Sequence, residues 1–219
     1  MWCVPKLTTE FIERMEHILD LYELPYKEKE PVVCIDEKSK QLLNSVRTPL
    51  PLTEHAVRRV DYEYKRNGTR NIFCAVEPKG GRRRIAVTKR RTKRDFATFV
   101  ATLVHNDYPD ADLIHIVCDN LNTHFSGSFS ETFGTEEGDR ILSRIRFHYT
   151  PKHASWLDMA EIELSVLSRT AIKGRIPTEE DLIGRTQRYE RARNERHSTI
   201  QWKFTKDDAR RVMKYQVQN

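Results

Sequence analysis

Two short apolar runs, each closed by an aspartate, constrain this chain more than any other feature. Pro31-Val32-Val33-Cys34-Ile35 leads to Asp36, and Ile114-His115-Ile116-Val117-Cys118 leads to Asp119. Short β-branched runs of this kind read as buried strands. Around them the period changes to that of helices. Phe11, Met15, Ile18, Leu19 and Tyr22 recur at three and four, with Thr8 or Thr9 as cap and an end before Pro25. Phe96, Phe99, Val100, Leu103 and Val104 do the same over residues 93–106. Strands alternating with amphipathic helices pack as a mixed sheet under helices, an α/β architecture.

The remaining elements follow from turn chemistry. The first strand is expected to stop at Asp36, with an irregular stretch after it that contains Pro49 and Pro51. A turn is expected at Asn67-Gly68, then a strand over residues 71–76, with Gly80-Gly81 leading into a hairpin partner over residues 84–88. Residues 128–142 contain helix, residues 145–149 alternate as a strand, and a helix starts near Trp156 with Ser155 as its N-cap. This divides the chain into a helix and linker (1–30), a main domain (31–175) and a helical extension (176–219) whose Trp202 and Phe204 pin the tail to the body.

A length of 219 residues suits one sizeable core. The 38 basic against 32 acidic residues, a net charge of +6, favour a polyanionic partner only if the cations cluster. They do so in one stretch, where Arg82, Arg83, Arg84, Lys89, Arg90 and Arg91 stand with almost no acidic relief. A charged edge hairpin that resists aggregation is the plain reading; contact with nucleic-acid phosphates is the sharper one. Cys3, Cys34, Cys74 and Cys118 stand singly, as buried thiols in a reducing compartment do. With no secretory leader and no long apolar run, the chain is expected in the cytoplasm, away from membranes.

The aspartates then bear on chemistry. Strand-end aspartates often only begin turns, but sites in open α/β sheets collect at the carboxyl ends of strands. Asp119 also opens the polar cluster Asn120-Leu121-Asn122-Thr123-His124. A third acid can come from the helix after Trp156, where Glu161 and Glu163 flank the stripe Leu157, Ala160, Leu164 and Leu167 on opposite sides. Helical spacing does not choose between them. Asp158 is the acid of the first turn, a capping residue or an assistant to a metal. Carboxylates brought together from strands and a helix suit two-metal phosphoryl transfer. The absence of His-x-x-x-His or paired Cys turns the expectation to Mg²⁺, with Mn²⁺ as the alternative, rather than zinc. No Gly-x-Ser-x-Gly elbow supports a serine hydrolase.

Four segments carry a resemblance. They are Val33-Cys34-Ile35-Asp36-Glu37-Lys38, Asp61-Tyr62-Glu63-Tyr64 with Asn67-Gly68-Thr69, Asp119 to His124, and Thr150-Pro151-Lys152-His153-Ala154-Ser155-Trp156-Leu157 continuing through Met159-Ala160-Glu161 to Arg169. In these the chain resembles transposases of the IS630 family, in the IS630/Tc1/mariner group. The resemblance implies an RNase H-like fold and an Asp-Asp-Glu triad, with Asp36, Asp119 and Glu161 as catalytic metal ligands and Glu163 outside it. It also implies DNA as partner, contacted by the basic stretch with Lys152 and His153, and accessory roles for Asn120, His124 and Asp158. Cut-and-paste transposition into TA targets, by a homodimer on DNA in the nucleoid, is the implied activity.

Two departures accompany it. Asp158 stands where the family has Asn, adding negative charge near the proposed ions. The family's helix-turn-helix domain does not precede Met1-Trp2-Cys3-Val4-Pro5, so the chain is expected to be the catalytic half of a transposase that is truncated, split across reading frames with a separately encoded helix-turn-helix half, or assigned the wrong start. A catalytically idle DNA-binding or inhibitory fragment is the rival reading, and a nonspecific metal nuclease a third.

Overall fold

The computed structural model describes residues 7–47, 62–120 and 126–215. One five-stranded sheet runs through it in the order β3-β2-β1-β4-β5. The strands are β1 (Val32–Ser45), β2 (Tyr64–Glu77), β3 (Arg82–Thr88), β4 (Ile114–Cys118) and β5 (Ile145–Tyr149). β1, β2 and β3 form an antiparallel meander, and β4 and β5 add in parallel on the other side of β1.

Because successive strand residues face opposite ways, the two faces sort into two cores. Cys34, Cys74, Val76 and Ile85 pack under α1 (Thr9–Glu23), α5 (Met159–Arg169), α6 (Glu179–Glu195) and α7 (Lys206–Met213). Val33, Ile35, Phe73 and Ile116 pack under α2 (Lys93–Thr102), α3 (Gly127–Phe133) and α4 (Thr135–Leu142). Thr8 caps α1, and a Thr92–Asp95 capping box starts α2, which ends in a π turn at Leu103–Asp107. Cys34, Cys74 and Cys118 are buried free thiols, and Cys3 lies outside the described residues. Among the described residues no helix is long and apolar enough to cross a membrane.

Three local expectations are corrected. β1 continues nine residues past Asp36 to Ser45. Beyond Cys34 it pairs only with β2, since β4 is registered with it no further than Cys34–Val117. Among the described residues no strand pairs with that edge beyond Cys34, where Leu43 N donates to the Ile176 carbonyl (2.8 Å), and the strand tolerates the polar run that looked like its end. Asn67-Gly68 is a bulge inside β2 and not a turn: the register steps from Gln41–Thr69 to Leu43–Arg66, with Gly68 at φ 91°. Ser155 opens a 3₁₀ turn (Ser155–Leu157), and the N-cap of α5 is Asp158, whose Oδ1 accepts from Ala160 N at 2.8 Å.

The C-terminal part is tied in by specific bonds. α6 lies along edge strand β3, where Asn194 accepts from Arg83 N (2.7 Å) and donates to Arg83 O (2.9 Å), while Glu190 accepts from Ile85 N (2.7 Å). Side chains of a helix thereby satisfy backbone groups that a bare edge would expose. Trp202 lies 5.3 Å from Tyr22 and 6.3 Å from Trp156, and Phe204 meets Trp156 edge-on at 5.4 Å, so the tail is pinned as expected. On the same face, over β4 and β5, His17 of α1, His148 of β5 and His115 of β4 form a bonded chain with N···N distances of 2.8 and 2.9 Å. Burial, together with His115, His17 and Arg146, holds His148 down at about 3.

Candidate active site

Asp36 and Asp119 arrive on neighbouring strands in one register. β1 and β4 pair Val32 with His115, Val33 with Ile116 and Cys34 with Val117. Each aspartate lies two residues beyond that last pair, so period-two alternation aims both to the face that carries Cys34 and Val117, on strands about 4.8 Å apart. That face is the one covered by α5. Parallel pairing plus a matched offset directs the two aspartates to the same end of the sheet.

α5 supplies the other acids. Glu161 is exposed in its first turn, whereas Asp158 at the N-cap is only 4% exposed. Burial, then the charges of Glu37, Asp119 and Glu161, push the Asp36 carboxyl up to about 6, against a bond from Glu37 N to Asp36 Oδ1 of 2.8 Å. Burial and the charges of Asp36, Asp119 and Glu161 raise Asp158 well above the usual carboxylate range.

Glu163, two residues on, belongs to another environment. Its carboxylate is 1% exposed and accepts from Tyr189 Oη (2.6 Å), Arg193 Nε and Nη2 (2.9 and 3.0 Å) and Arg83 Nη2 (3.2 Å). Burial raises its pKa, but those bonds outweigh it and leave the group below its ordinary value.

The expected DNA-binding cations separate. Arg83 is buried, bonded to Glu163 and the Ser198 carbonyl, so its expected place among the phosphate contacts is corrected: strand alternation turns it inward with Ile85. Arg84 is engaged with Asp107 and lies 3.8 Å from Glu190. Arg82 donates to the Asp107 carbonyl and sits over the Tyr108 ring. Arg91, half exposed, is 3.7 Å from Glu37. Lys89 and Arg90 are exposed after β3. Lys152 and His153 are exposed and, with Asn120, border a groove of about 760 Å³ beside Asp119 whose other wall is Thr8, Phe11 and Arg14 of α1. The sequence reading did not place α1 at the site; only the packing of its apolar stripe sets it there. His124 lies outside the described residues.

The donor set is all carboxylate oxygen, and burial, with repulsion between neighbouring carboxylates added to it, raises Asp36 and Asp158, which is the chemistry a hard divalent cation relieves. Among the described residues no three His, Cys, Asp or Glu side chains are drawn tightly enough together to hold an ion as they stand.

A family model described as DDE superfamily endonuclease matches residues 31–183. The chain belongs to the DDE superfamily endonucleases. Its fold is the RNase H-like one of solved DDE transposases. The Mos1 mariner paired end complex with Mn matches at a TM-score of 0.57 and 13% identity, over 90% of this chain and 60% of that one. The Mos1 Strand Transfer Complex matches at 0.58 and 11% identity, over 90% and 59%. The Mos1 paired end complex with Mg matches at 0.56 and 14% identity, over 90% and 60%. At such identities the likeness is one of fold, and this DDE endonuclease chain spans about 60% of the length of those proteins. No curated protein matches it by sequence.

Proposed function

We propose that this chain is the catalytic part of a DDE transposase of the IS630 kind, cutting DNA strands and joining the freed 3′ end to a target. The observation that carries the reading is the matched offset of Asp36 and Asp119 on paired parallel strands, with the Glu161 charge acting on Asp36, in a chain of this endonuclease family. Asp36, Asp119 and Glu161 would hold Mg²⁺ or Mn²⁺. Such ions, when bound, supply an activated water or 3′-hydroxyl and stabilise the leaving oxygen.

The chain's own residues do the rest. The groove beside Asp119 takes a DNA strand, with Lys152 and His153 on one wall and Arg14 on the other. Lys89, Arg90 and Arg91 extend the contact to backbone phosphates, with Arg82 and Arg84 partly engaged inside the protein. Asn120 lies between groove and acids, and Asp158 caps the helix that presents Glu161. Residues 31–175 form the catalytic unit between an N-terminal helix and a C-terminal extension. A homodimer on DNA, a separately encoded helix-turn-helix half, a TA target and action at the nucleoid complete the reading.

The test is cleavage and joining of duplexes that carry the element's own ends. Wild-type protein should cut them with Mg²⁺ or Mn²⁺ and join the product to a second duplex. Alanine at Asp36, Asp119 or Glu161 should abolish both steps while leaving DNA binding intact. Full activity in any one of the three would remove that residue from the triad. Cutting without joining would favour a nonspecific nuclease, and binding without cutting an inhibitory fragment.

A further inference from the structure

The buried charge network around Glu163 lies outside the reaction just described, yet it grips the helix that presents Glu161. We infer that Arg83, Tyr189 and Arg193 act through Glu163 as positioning residues that set the rotation of α5 and hence the place of the Glu161 carboxylate. The inference rests on the reading of Glu161 as a metal ligand.

Glu161 and Glu163 are about 200° apart around the helix axis, so a turn that loosens one moves the other. A side chain reaching about 6 Å from the axis shifts by about 1 Å when the helix turns by 10°, whereas metal ligands hold their distances within about 0.2 Å. The apolar contacts of α5, made by Met159, Ala160, Leu164 and Leu167, do not fix such an angle alone, because apolar attraction is non-directional. Directional bonds do. Glu163 receives them from two separate elements, Arg83 on β3 at 3.2 Å, and Tyr189 and Arg193 on α6 at 2.6 and 2.9 Å.

Those elements are themselves registered to one another. Asn194 and Glu190 bond the backbone of Arg83 and Ile85. At Gly81, φ 72°, a Cβ would stand 2.9 Å from the His197 backbone, so the absence of a side chain lets the end of α6 close on the hairpin. Tyr189 and Arg193 lie past residue 183, where the family match ends. The back of α6 is thus a working part of the active site and more than a C-terminal appendage.

The experiment measures Mn²⁺ binding to the full chain by electron paramagnetic resonance, beside the melting transition of each variant. Glu163→Gln and Arg193→Ala should melt cooperatively and bind Mn²⁺ about 10-fold more weakly, with Arg193→Lys recovering part of the loss. Tyr189→Phe, which removes one hydrogen bond and no volume, should show a smaller weakening in the same direction and serves if the charge variants do not fold. Lowered melting with wild-type Mn²⁺ affinity in every variant would reduce the network to structural support and overturn the inference. That result beside a Glu161→Gln that does weaken binding overturns only the positioning role. Unchanged binding in Glu161→Gln overturns the ligand reading and the inference with it.

Discussion

Two sets of carboxylates sit on opposite sides of α5, and the protein treats them in opposite ways. On one side burial and then neighbouring carboxylates raise Asp36 and Asp158, each of which accepts from a backbone N–H. On the other side Glu163 is more deeply buried than Asp36, but Arg83, Arg193 and Tyr189 bond it and its pKa falls. The residue type is the same and the two glutamates are two positions apart. What differs is whether the fold brings its own cations. A buried carboxylate with guanidinium partners is part of the scaffold; carboxylates raised by burial and by one another favour an arriving cation.

The largest effect should come from breaking the satisfied side. Glu163→Ala leaves Arg83 buried and Arg193 half-buried without their counter-charge, at about 3–5 kcal/mol, or roughly 10 °C in melting temperature. A melting shift within a degree of wild type would mean that the network is ornamental. Next, the repelling side should respond to a cation: Mn²⁺ at about 100 times its Kd should stabilise the wild type by about 2.7 kcal/mol. Asp36→Asn should lose most of that gain, and an equal gain in both proteins would put the ion elsewhere.

A smaller effect belongs to the histidine chain. Because the folded His148 is held at about 3, below its unfolded value near 6.5, its stabilising share is full above that unfolded value and is lost as pH falls toward 3. His148→Gln should flatten the acid limb of the stability curve by about 2 kcal/mol, allowing for solvent screening. An unchanged acid limb would show that His17, His115 and Arg146 do not act on it. The smallest is Asp36→Asn without metal. Its folded carboxyl is raised to about 6, so its favourable share is present below about 4 and lost as pH rises through 6. At pH 7 the variant should therefore be more stable than wild type, by about 3 kcal/mol from the shift alone and by about 1 kcal/mol once solvent screening of the partly exposed carboxylate is allowed for, and the difference should vanish near pH 4.

Much of the fold was legible because period and punctuation survive in the chain. The helical stripes from Phe11 and Phe96, the strands ending at Cys118 and Tyr149, and the Gly80-Gly81 hairpin all stand close to their expected bounds. The misreadings share a cause. β1 past Asp36 and the bulge at Asn67-Gly68 look like breaks because their polar residues sit on strand lengths with one edge unpaired by any described strand or with a local register step, and neither is written in a window of six residues. Arg83 was read with its neighbours as one basic stripe, although strand alternation sends it to the opposite face from Arg82 and Arg84.

By itself the sequence determined much of the strand and helix inventory and the candidate acids, and the resemblance its motifs carry implied Glu161 rather than Glu163 where helical spacing left the two open. Only the tertiary structure decided which charges meet. Asp36 and Asp119 come to the same end of the sheet through the register of β1 on β4, Glu163 finds Arg83 and Arg193 through the docking of α6 on β3, and α1 becomes a wall of the groove. The physical reason is range. Periodicity is set by a residue's nearest turns, whereas the fate of a charge depends on what lies within a few ångströms in space, and those partners come from far along the chain.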